Sequence, residues 1–78
     1  MLHWPKHGHR TFEAAIYNRE VRALVKENQS HSLFDDHWAD VHIQDVEARD
    51  EDEARNTVSE RYPPEDGFVI EALYPVCV

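Results

Sequence analysis

Residues 11–18, Thr-Phe-Glu-Ala-Ala-Ile-Tyr-Asn, decide the fold of this chain. Read with a period of two, Phe12, Ala14 and Ile16 share one face of a strand. Read with a helical period, Ala14, Tyr17, Val21, Leu24 and Val25 form a stripe. Asn18 separates the two readings. Its side chain suits a helix N-cap, and Glu20 then falls in the first turn, where a negative charge is favoured. The segment therefore reads as a strand over 11–17 followed by a helix over 19–28. Val21, Leu24 and Val25 face inward, and Arg19, Arg22 and Lys26 face solvent. The polar run 28–32, Asn-Gln-Ser-His-Ser, ends that helix.

The rest of the chain reads outward from this junction. Residues 33–38, Leu-Phe-Asp-Asp-His-Trp, are a loop or single turn with Leu33, Phe34 and Trp38 dipping into the core edge. Residues 39–48 read as a strand with Val41 and Ile43 on the apolar face and Asp40, His42 and Gln44 on the polar one. Val46 and Ala48 fall on the opposite parity, which calls for a bulge near Gln44 and Asp45. Asp50 and Glu53 form a capping-box pair, and the acids at 50–53 crowd the positive end of a helix dipole. Ala54, Val58 and Tyr62 recur along one face of that helix, which Pro63-Pro64 ends. Residues 68–76 are apolar on both parities except at Glu71, as in a central or doubly covered strand. No internal repeat and no low-complexity linker interrupts the pattern.

The fold class is α/β (or α+β): a small three-stranded sheet in β-α-β-α-β order with two helices packed on one face. Helical crossovers of about ten residues would make neighbouring strands parallel. The opposite face is left thinly covered. Residues 1–10, with Pro5 and Gly8, read as a flexible N-terminal arm, and 11–78 as one domain.

At 78 residues and 41% apolar composition, the core must be thin. A homodimer is one ordinary remedy for such a core. Cys77 stands alone, so no internal disulfide forms, and a reducing, cytoplasmic setting is expected. No apolar run reaches the roughly 18 residues of a membrane span, and the first residues carry no signal-peptide stretch. The net charge of −8 is uneven: residues 1–26 balance to +3 and residues 27–78 to −11. An acidic body disfavours nucleic acid as partner and suits a basic protein.

Three groups of residues are candidates for chemistry. His3, third from the amino terminus, could join the α-amine and backbone amides in a square-planar copper site. His37, Asp40 and His42 could converge on zinc or copper if His37 approached the strand from the preceding loop. Trp4, Lys6 and Arg10 combine an aromatic ring with positive charge. In that arrangement Trp4, Arg10 and Trp38 are the residues expected to contact a partner, unless Trp4 folds back as a lid on the sheet. Nucleophile elbows and glycine-rich phosphate loops are missing from the sequence, so an enzyme is disfavoured. Charging all six histidines would move the net charge from −8 to −2, a route to pH response. The functional expectation is an interaction module that binds a protein partner or itself through an exposed sheet face. Divalent-metal binding is the alternative.

Overall fold

A computed structural model of the chain describes residues 8–76. Three strands, β1 (Arg10–Asn18), β2 (His42–Ala48) and β3 (Phe68–Pro75), form one sheet in the order β2-β1-β3. Helix α1 (Arg19–Lys26) follows β1, and α2 (Glu51–Arg61) joins β2 to β3. The β-α-β-α-β order is as read from the sequence. Both neighbouring pairs, however, are antiparallel, so the domain is α+β.

The reason lies in α1. It is only eight residues long, about 12 Å, and packs against the 3-10 turn Asp36–Ala39 and the start of β3 instead of running back along the sheet. The chain therefore re-enters the sheet at the end it left, and His42 pairs with Ile16. Helix α2 does return the chain, so β2 and β3 run parallel to each other. The crossover steps over β1, which occupies the centre. The strand expected at the centre, 68–76, is an edge strand.

Phe12, Ala14 and Ile16 of β1, Val46 and Ala48 of β2, and Ala54 and Val58 of α2 make the core. Ile16 is fully buried, which contributes roughly 2 to 3 kcal/mol. Parity on β2 is settled by Val46 and Ala48, which face α2. Val41 and Ile43 consequently point to the other side, and no bulge forms at Gln44 and Asp45; the register from Arg10↔Ala48 to Ile16↔His42 is continuous. The irregularity sits in β3 instead. There the register passes from Ala15↔Ala72 to Ile16↔Ile70 and skips Glu71. The bulge lets Phe68, Ile70 and Leu73 all reach the core side although their parities differ.

Rings close the end of this thin core. Phe68 meets Phe34, Trp38 and Tyr62 at centroid distances of 5.1, 5.2 and 5.4 Å, and Trp38 also meets Tyr62 at 5.5 Å. Such tilted and edge-on pairs add to simple area burial. Leu33 does not join them and is 81% exposed. It lies in a tight turn in which the His31 ring Nδ1 accepts hydrogen bonds from the Leu33 and Phe34 amides.

Asn18 binds three elements together. Its Oδ1 accepts from the Glu20 and Val21 amides, both at 3.0 Å, and its Nδ2 donates to the Asp66 carbonyl at 3.0 Å. Beside it, the Arg19 amide donates to the Gly67 carbonyl at 2.8 Å. Gly67 takes a φ of +98°, and a Cβ there would stand 2.8 Å from Asn18 Oδ1 and 2.5 Å from a Glu20 carboxylate oxygen. Only glycine fits this approach. The other end of α1 closes in a Schellman motif: Gln29 donates to Leu24, Asn28 donates to Val25, and Asn28 takes a left-handed φ of 58°. Helix α1 thus stops at Lys26, two residues before the expected end. Arg22, expected in solvent, lies over the Tyr17 ring at 3.7 Å while its Nε donates to the Ala39 carbonyl.

Asn18→Ala should lower the unfolding free energy by about 2 kcal/mol in urea titration, because the buried cap is lost together with the hydrogen bond to the Asp66 carbonyl. Asn18→Asp keeps the cap acceptor but buries a charge and sets an acceptor against the Asp66 carbonyl, so it should cost at least as much.

Candidate interaction face

Strand alternation sends every second side chain of the sheet away from α2. On that side, Ile43, Ala15 and Ala72 stand in one cross-strand row, and Asp45, Glu13 and Tyr74 in the next. Glu47 and Thr11 form a third, and Tyr17 and Val69 face each other nearer α1. Among the described residues no helix or strand covers the first three rows, while Arg22 of α1 lies over Tyr17 in the last. Ile43 is 50% exposed, Tyr74 42% and Val41, just ahead of β2 on the same parity, 39%. Ala15 is 7% exposed although nothing but its neighbours shields it; it is a small floor between larger walls.

Around Ile43 and Ala15 the described charged side chains of this face are acidic. Glu13 lies directly across from Asp45, and Glu47 follows two positions along β2. Like charges directly opposite in an antiparallel pair are destabilising. Among the described residues neither Glu13 nor Asp45 has an ion-pair partner, since Arg49 and Arg55 are engaged with Glu53 and Glu51 along α2. Asp45 and Glu47 also border a shallow hollow with Thr11 and Val46.

The residues singled out in the sequence lie elsewhere. His37, Trp38 and His42 do come together: the His42 ring lies 4.8 Å from that of His37 and 4.7 Å from that of Trp38. Their nitrogens are turned to the protein itself. His42 Nε2 sits 2.8 Å from the His37 carbonyl oxygen, and His37 Nδ1 is 3.0 Å from Asp35 Oδ1. Asp40 is exposed, and its amide donates to the His37 carbonyl. Among the described residues no group of three or more histidine, cysteine or acidic side chains is disposed to hold a metal ion. Trp38 is half-buried against the core and contributes packing. Arg10, at the start of β1, pairs with Ala48 and is exposed on the parity of Phe12, the side facing α2. His3 and Trp4, the copper site and the lid, lie outside the described residues, as does most of the arm at 1–10.

Glu13 and Asp45 went unnoticed in the sequence because their significance is a matter of register. Glu13 belongs to one strand and Asp45 to another, and only the pairing of Ile16 with His42 makes them neighbours.

Among the described residues no helix is long and apolar enough to cross a membrane. Comparison with family models, curated proteins and solved structures gave no match to this chain.

Asp45→Asn should raise stability by about 0.5 kcal/mol in urea titration, since it removes one member of a like-charged pair. The 3-10 turn supplies a second test. The His37 amide donates to Asp35 Oδ1 at 3.0 Å, and with the His37 ring it holds the Asp35 carboxyl below the ordinary aspartate range. A depressed carboxyl stabilises the fold above its ordinary value, and that contribution disappears as pH falls through the lowered one. The His37 amide proton shift should therefore titrate with a midpoint below the ordinary aspartate range.

Proposed function

We propose that the domain is a protein–protein interaction module whose working surface is the uncovered side of the β2-β1-β3 sheet. The observation that carries this reading is the asymmetry of the layer. Helix α2 and the aromatic cluster cover one side, while Ile43 and Tyr74 stand half-exposed on the other. Large apolar side chains grouped on one face, with acids around them, resemble the apolar centre and polar rim of an interface. A chain of 78 residues with a thin core also gains stability from any partner that binds only its folded form. We place its action in the cytoplasm, on the strength of the lone Cys77.

Trp38 packs on the core and the rings of His37 and His42 lie against it, so the face at Ile43 is favoured over the histidine cluster as the site of action. A photoreactive residue placed at position 43 or 74 in the full chain should give a discrete adduct in cells. The same residue at position 55, exposed on α2, should not. Equal labelling from all three positions, or none from 43 and 74, would remove the reading. An adduct of twice the chain mass would identify the partner as a second copy.

A further inference from the structure

We infer that this face takes a cationic partner, a segment or surface that presents Lys or Arg side chains beside an apolar residue. The inference rests on the interaction-module reading and adds the chemistry of what binds. Glu13 and Asp45 are cross-strand neighbours on the uncovered side. These carboxylates border an apolar strip of Ile43, Ala15 and Ala72, with Tyr74 in the same row as Glu13. Arg22 lies at the α1 end of the face, over Tyr17 and bonded to the Ala39 carbonyl, and Arg49 and Arg55 are paired with acids of α2.

A like-charged cross-strand pair is a standing cost to the isolated domain. An incoming ammonium or guanidinium group placed between Glu13 and Asp45 removes that cost and gains charge-assisted hydrogen bonds. The apolar strip then covers the partner's hydrocarbon, including the stems of its basic residues. Other occupants fit worse. A second copy brings the same carboxylates and the same net charge of −8 to the interface, and nucleic acid brings further negative charge.

The test uses the full chain and a synthetic peptide, acetyl-Lys-Val-Lys-Trp-Lys-Val-Lys-amide, followed by amide chemical shifts. The expected result is saturable shifts at Glu13, Ile43, Asp45 and Tyr74, absent with the glutamate-for-lysine peptide. Glu13→Gln with Asp45→Asn should weaken binding about tenfold, while Glu51→Gln with Asp52→Asn, which removes equal charge from α2, should leave it unchanged. Equal weakening by both pairs would reduce the attraction to net charge and overturn the inference. So would binding that emerges only in Lys6→Ala, because the chain's own N-terminal residues would then be the occupant. The underlying reading fails separately. If the adduct from position 43 forms undiminished in Glu13→Gln/Asp45→Asn, the face binds something that needs no cation. If no adduct forms in the unaltered chain, the face itself is refuted.

Discussion

Asn18 is the constraint on which the architecture depends. A single buried amide ends the central strand, caps the helix that follows and holds the chain that enters the last strand. Every polar atom it brings into the interior is matched, which is the condition for burying such a group without penalty. The match requires Gly67 close by, because any side chain there would strike Asn18 and Glu20. The two residues lie far apart in sequence and are one device. Their contact fixes where β3 begins relative to β1, and the bulge at Glu71 then sets the row in which Tyr74 meets Glu13.

The aromatic cluster answers the problem of size. A three-stranded layer with one short helix across it cannot enclose much aliphatic volume, and the buried core of this chain relies on alanine and valine with one phenylalanine and one isoleucine. Phe34, Trp38, Tyr62 and Phe68 close the end of the core beyond α2, on the same side of the sheet, and His42 extends the stack onto the sheet. His37 and His42, histidines beside acids, take part in this stacking. Each imidazole carries an aromatic contact and a hydrogen bond within the same few residues.

Much of the local structure could be read directly. Asn18 as a helix cap, Asp50 and Glu53 at the start of α2, and the Pro63-Pro64 stop all rest on short-range chemistry, and each is realised. Glu53 departs from the full capping box only in sending its carboxylate to Arg49. What could not be read was long-range. Val41-His42-Ile43 and Val46-Glu47-Ala48 offer two incompatible inward faces, and only contact with Ala54 and Val58 selects the second. Strand direction depended on whether α1 runs back along the sheet, which its own eight residues do not disclose. The acids of the proposed interface were visible as charge but not as a pair, since pairing is a property of the sheet.

The skipped residue in β3 bears on how such a sheet behaves in a crowd. Glu71 and the nearby Pro75 leave that rim kinked, charged and short of donors, a poor template for another backbone. The rim at β2 is straight. Any further strand would meet that obstacle at β3 and none of its kind at β2, so the layer resists extension on one side only.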